Sequence, residues 1–231
     1  MMRYQYLIFD LDDTLLDFKG GEIAGLKNVF AKQGFDTVLQ EKAFNEYTRI
    51  NWELWSAFEK GEISKQTIHQ TRFDKLLVSL GVAGDGSAFE RQYREELNHN
   101  YRIIDGAEAF LAHLKQSGYH LIAGTNGEAQ TQHLRLEHTG FDSYFEQVYI
   151  SDEMGVAKPD PGFYTQIFNE NPEMTKNNTV MIGDGLASDI QGGTNFGIDT
   201  IWVNFTQTPA PETPQPTATV QTYKELIQQL S

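Results

Sequence analysis

Four short apolar runs in this chain each stop abruptly at a polar cluster, and that repeated edge constrains the fold more than anything else. Tyr6-Leu7-Ile8-Phe9 runs into Asp10-Leu11-Asp12-Asp13-Thr14. His120-Leu121-Ile122-Ala123-Gly124 runs into Thr125-Asn126-Gly127. Val148-Tyr149-Ile150 precedes Gly155-Val156-Ala157-Lys158-Pro159, and Thr179-Val180-Met181-Ile182 precedes Gly183-Asp184-Gly185-Leu186-Ala187-Ser188-Asp189. Short apolar runs bounded by turn signals read as strands buried on both faces. Helical spacing between them, as at Ala107, Phe110, Leu111 and Leu114, completes a strand–helix–strand texture. A further strand is expected at Thr200-Ile201-Trp202-Val203, and a closing amphipathic helix at Tyr223, Leu226, Ile227 and Leu230. The expected class is therefore α/β, a Rossmann-like doubly wound parallel sheet covered on both faces.

The stretch between the first strand and the rest has a different texture. Ile23, Leu26, Val29 and Phe30 fit one helical face. Phe44, Tyr47, Leu54 and Phe58 mark a second helix ending at Gly61. Ile68, Phe73, Leu76, Leu77 and Leu80 mark a third, stopped by Gly81, and Phe89, Tyr93 and Leu97 mark a fourth. Gly20-Gly21 reads as a hinge before them. This predicts a Rossmann-like core of residues 1–17 and 99–231, with an inserted all-helical cap domain, 18–98, beside the end of the first strand. In doubly wound sheets ligands bind at the C-terminal strand ends. The acids, Thr125, Lys158 and Asp184 all fall there.

On a continuing strand Asp10 and Asp12 point to the same side. Two adjacent carboxylates repel by roughly 4 kcal/mol at ~4 Å and an effective dielectric of about 20. A fold keeps such a pair to hold a cation, a shared proton or an anionic reaction partner. Taken singly, each cluster has an ordinary reading: a solvated acidic turn, a Thr-Asn-Gly turn, a loop lysine before proline, a helix cap. In order, each after an expected strand, they act as one set.

That set resembles the four motifs of the haloacid dehalogenase-like hydrolase superfamily, over nearly the whole chain. The resemblance implies Asp10 as the nucleophile that forms an aspartyl phosphate, and Asp12 as acid for the leaving oxygen and then base for water. It implies Mg²⁺ as cofactor, since hard carboxylate oxygens suit that ion. The metal set is Asp10, Asp12 (through the backbone carbonyl two residues after the nucleophile), Asp184 and Asp189, with Asp189 supporting the metal shell or orienting the lysine. Thr125, Asn126 and Lys158 are the expected substrate-binding residues. Phosphate monoester hydrolysis needs accelerations up to about 10²¹-fold, so one base worth roughly 10²–10⁴-fold is not enough. The dehalogenase branch lacks an acid at the position matched by Asp12, so Asp12 favours phosphoryl transfer. Position 185 is Gly where many relatives carry Ser or Thr.

Finer similarity points to a branch. Asn51-Trp52-Glu53-Leu54-Trp55 with Lys60-Gly61-Glu62-Ile63-Ser64, and Leu134-Arg135-Leu136-Glu137-His138-Thr139-Gly140, resemble the house-cleaning pyrimidine 5'-nucleotidases of bacteria. The implied substrate is a small phosphorylated metabolite, a nucleoside monophosphate. Another small-molecule phosphatase, or a phosphomutase like β-phosphoglucomutase, is the alternative. Trp52, Trp55 and Phe58 either stack on a base or, the more ordinary reading, pack between helices. His133 and His138 read as surface residues.

The formal charge of −14 argues against nucleic-acid backbones and anionic membranes as partners. Cysteine is absent, which excludes thiolate chemistry and fits a reducing cytoplasm. No transmembrane stretch and no signal peptide are expected. The expected assembly is a monomer or homodimer.

Overall fold

A computed structural model describes residues 3–230. Among these, six strands form one all-parallel sheet: β1 (Tyr6–Phe9), β2 (His120–Thr125), β3 (Gln147–Ile150), β4 (Thr179–Gly183), β5 (Asp199–Val203) and β6 (Ala218–Val220). Their order is β3-β2-β1-β4-β5-β6. β1 is central, with Tyr6 opposite His120 on one side and Thr179 on the other. The chain winds outward in both directions from β1. The crevice of such a sheet therefore opens where β1 and β4 end.

The helices are α1 (Phe18–Lys32), α2 (Thr37–Glu59), α3 (Lys65–Leu80), α4 (Gly86–Asn98), α5 (Ala107–Gln116), α6 (Ala129–Thr139), α7 (Ser151–Met154), α8 (Pro161–Glu170), α9 (Gln191–Phe196) and α10 (Tyr223–Leu230). The chain divides into two compact units. One holds the residues through Asp17 and those from Tyr101 onward, and the other is Phe18–Asn100. No described helix is long and apolar enough to cross a membrane.

The sheet unit has a core on each face, and strand alternation explains both. Leu7, Phe9, Leu121, Val180, Ile182 and Ile201 point one way, onto Phe110 and Leu111 of α5 and Leu226 of α10. Tyr6, Ile8, Ile122 and Met181 point the other way, onto Phe163, Tyr164 and Ile167 of α8. Every position of β1 is buried, which is why its sequence is uninterrupted apolar rather than alternating. The acids come immediately after, where the strand leaves the core.

The helical unit is built around Leu26, Phe30, Tyr47, Phe73, Phe89 and Tyr93. Gly81 closes α3 with φ of 66°, the left-handed conformation that glycine adopts without strain. Arg72 is buried in this core and grips Glu90 through two hydrogen bonds of 2.6 Å. A bidentate pair of this kind offsets the cost of burying the charge.

Three readings of the sequence change here. Gly20-Gly21 is not a hinge: both glycines lie inside α1. Gly21 is there for space, since a Cβ would fall 1.8 Å from Nδ2 of the buried Asn100. Trp52 does not pack between helices, being 70% exposed, whereas Trp55 and Phe58 meet edge-on and border the core. β6 was not expected. It follows the Pro209–Pro216 loop and is only three residues long, too short for a periodicity signal.

Candidate active site

β1 stops at Phe9, and the period-two argument stops with it. Asp10 still donates its backbone N–H to the carbonyl of Ile182 (2.9 Å), but it then leads into an irregular turn. Asp13 in that turn has φ of 54°. Asp10 and Asp12 meet different partners.

The Asp10 carboxylate is nearly buried and meets Lys158. Lys158, 1% exposed, donates to Oδ1 of Asp10 and to Oδ1 of Asp189, both at 2.7 Å, and to the carbonyl of Gly124. An ammonium has three donors, and all are engaged. A solvated loop lysine is thereby excluded. Burial alone would lower the pKa of Lys158, but the two carboxylates outweigh it and hold the group protonated.

Asn126 places that lysine. Its Nδ2 donates to the Lys158 carbonyl (2.7 Å), and its Oδ1 accepts from the Lys158 N–H (2.9 Å). The Asn126 carboxamide, expected to bind substrate, spends one N–H and one oxygen lone pair on this pairing and keeps one of each. Thr125 is 1% exposed, and its Oγ1 accepts from the N–H of Gly127 (3.0 Å) and from Nε2 of Gln132 (2.9 Å). The hydroxyl proton remains as a donor.

Asp184 follows β4 at the other side of the switch point. Its N–H donates to Oγ1 of Thr14 (3.1 Å), and its carbonyl accepts from Nε1 of Trp202 on β5 (2.9 Å). Asp189, 1% exposed, lies in a single π-type turn, Leu186–Ile190. Its Oδ2 accepts the N–H of Gly185 at 2.9 Å. Glycine fits position 185: a Cβ would stand 2.2 Å from Oγ of Ser188 and 3.0 Å from Oδ2 of Asp189.

Asp10, Asp184 and Asp189 each offer an oxygen within 4.8 Å of the others. Three carboxylates face one ammonium, so full ionisation would leave two negative charges in excess. Burial first, and repulsion from Asp189 and Asp12 after it, push the Asp10 carboxyl up to about 8 against the pull of Lys158. Burial, with Asp10 and Asp189, pushes Asp184 well above the usual carboxylate range. Hard oxygen donors with two unbalanced charges fit a divalent cation such as Mg²⁺. The Asp12 carboxylate is not in this group. It forms an ion pair with Nη1 of Arg135 and accepts from Nε2 of Gln132 (2.9 Å).

Thr14, Gln132, Arg135 and Trp202 were not singled out by sequence. Gln132 and Arg135 carried a usable signal, since they sit three apart on α6 beside Leu136, on its buried face. The two histidines of α6 lie at the surface: His133 pairs with Glu153, and His138 stacks on Tyr101.

A sequence profile of the family described as haloacid dehalogenase-like hydrolase matches residues 7–203. The chain is 38% identical over 226 residues to the pyrimidine 5'-nucleotidase PynA of Streptococcus pneumoniae, covering 98% of this chain and 94% of that one. It is 37% identical over 204 residues to the HAD-hydrolase YfnB of Bacillus subtilis, covering 88% and 86%. The crystal structure of YfnB bound to magnesium superposes with a TM-score of 0.92 at 34% identity, over 99% of both chains. The motifs quoted from the sequence, the strand order and these likenesses agree: the chain belongs to the haloacid dehalogenase-like hydrolases and is an enzyme of their phosphatase type.

Proposed function

We propose that this enzyme is a Mg²⁺-dependent 5'-nucleotidase that hydrolyses nucleoside 5'-monophosphates through an aspartyl phosphate. The observation that carries the reading is the Lys158 ammonium, 2.7 Å from both Asp10 and Asp189, in a cluster whose charge it only partly neutralises. The nucleotide substrate rests on the full-length similarity to PynA.

In this reading an Asp10 carboxylate oxygen attacks phosphorus and the bond to the leaving oxygen breaks. Asp12 gives that oxygen its proton. A water then loses a proton to Asp12, attacks phosphorus and releases Asp10. Lys158 offsets charge on Asp10 and on the phosphoryl group, and the Thr125 hydroxyl donates to a phosphoryl oxygen. Bound Mg²⁺, held by Asp10, Asp184 and the Asp12 backbone carbonyl with Asp189 in support, would neutralise the phosphoryl oxygens. The helical insertion, 18–98, is the family's cap domain in this reading. A cytoplasmic setting suits the cysteine-free chain.

The test is phosphate release from a panel of nucleoside monophosphates and sugar phosphates, with Mg²⁺ and with EDTA. Pyrimidine nucleoside 5'-monophosphates should lead the panel, and EDTA and Asp10→Asn should each abolish turnover. Preference for a sugar phosphate would overturn the substrate, and full activity in Asp10→Asn would overturn the mechanism.

A further inference from the structure

Gln132 and Arg135 are a glutamine and an arginine buried at 1% and 0% exposure on one turn of α6. Burying an arginine is costly unless it is paired and hydrogen-bonded, and the partner here is Asp12. Gln132 makes three bonds at once. One N–H of Nε2 goes to Oδ2 of Asp12 and one to Oγ1 of Thr125, both at 2.9 Å, while Oε1 accepts from Nη1 of Arg135 at 3.1 Å. Each Asp12 oxygen thus receives one protein donor and keeps a second lone-pair direction. Room for this arrangement comes from Gly127, where a Cβ would fall 2.3 Å from Nε2 of Gln132.

We propose that Gln132 and Arg135 are positioning residues for the reaction, locking the Asp12 carboxylate to the Thr125 hydroxyl so that proton-transfer group and phosphoryl donor are held as one rigid piece. The inference rests on the reading of Asp12 as acid and base. Two carboxylate oxygens gripped by donors from a single helical turn leave the group little rotation. A misplacement of about 1 Å costs on the order of 10²-fold in rate.

Leaving-group dependence tests this, because a mere loss of folding would lower activity on all substrates alike. A nucleoside 5'-monophosphate expels an alkoxide oxygen that needs a proton, whereas 4-nitrophenyl phosphate expels a stable phenolate that does not. For Arg135→Met, kcat/KM on the nucleotide should fall about 10²-fold, with 4-nitrophenyl phosphate changed by less than roughly threefold, whereas Gln132→Leu, which also frees Thr125, should lower both substrates but the nucleotide roughly tenfold more. Arg135→Lys, which keeps the charge, should recover part of the loss. Asp12→Asn supplies the reference. If Asp12→Asn is selective for the nucleotide but Gln132→Leu lowers both substrates equally, positioning is wrong while the role of Asp12 stands. If Asp12→Asn itself lowers both equally, the acid–base reading fails and takes this inference with it. Should Arg135→Met not fold, Gln132→Leu decides alone.

Discussion

Asn126 and Lys158 hold each other by two reciprocal hydrogen bonds, side-chain amide to backbone, at 2.7 and 2.9 Å. The loop after β2 therefore sets the backbone of the residue whose ammonium bridges Asp10 and Asp189. Asn126→Ala would leave a backbone N–H and a carbonyl without this partner. We expect it to cost about 1–3 kcal/mol in stability and to lower kcat by at least roughly tenfold, as Lys158 drifts from its acids. Denaturant midpoints and saturation kinetics in Mg²⁺ check both. Wild-type kcat in a destabilised variant would show that Lys158 holds its place unaided.

The acid cluster makes stability depend on pH in a definite direction. The Asp10 carboxyl is raised from 3.8 to about 8 on folding, and Asp184 is raised as well. A group raised on folding contributes stability that is fully present below its unfolded pKa and is lost as pH rises through the folded one. The protein in EDTA should therefore melt at progressively lower temperature between about pH 4 and pH 8. Mg²⁺ favours the ionised carboxylates, so its stabilisation, about 2.7 kcal/mol at a hundredfold excess over Kd, should grow with pH. Asp10→Asn should flatten the slope in EDTA. Thermal melts at several pH values measure this, and a melting temperature that climbs with pH in EDTA would refute it.

Gly185 tests how tightly Asp189 is held. In Gly185→Ala the new methyl meets Ser188 Oγ at 2.2 Å and Asp189 Oδ2 at 3.0 Å. The serine can rotate, but the aspartate is pinned between Lys158 and the Gly185 N–H. The expected result is a loss of about 1 kcal/mol in stability together with weaker Mg²⁺ activation. Adding Ser188→Ala should restore part of the stability but not the Mg²⁺ response. Titrating Mg²⁺ against activity separates the two, and an unchanged half-activation concentration would show that the acid tolerates the shift.

Much of this was legible because strand ends leave marks. A strand buried on both faces must be continuously apolar, and functional groups can begin only where it leaves the core. Asp10 after Phe9 and Asp184 after Gly183 both obey that rule, and they flank the switch point. The four helices of Phe18–Asn100 were readable from their spacing and from glycine stops such as Gly81. Side-chain direction beyond a strand end was not. Asp10 and Asp12 meet different partners, Lys158 and Arg135, which the strand period alone does not give, while staying near enough for Asp12 to raise the Asp10 carboxyl. Nor could spacing reveal that Gly21 makes room for Asn100 rather than acting as a hinge. Close approach between distant segments has no local signature.

The central place of β1 has a consequence for the chain as it is made. Tyr6–Phe9 is made before the other described strands, yet its neighbours begin at His120 and Thr179. At about 5–20 residues per second, the strand bearing the candidate nucleophile waits roughly 10–30 s on the ribosome for its second partner. The helices of Phe18–Asn100, with their own apolar interior, are complete well before then. An uninterrupted apolar strand held open that long is a template for wrong pairing. Asp10, Asp12 and Asp13 at its end place like charges where two such strands would align, which disfavours that pairing.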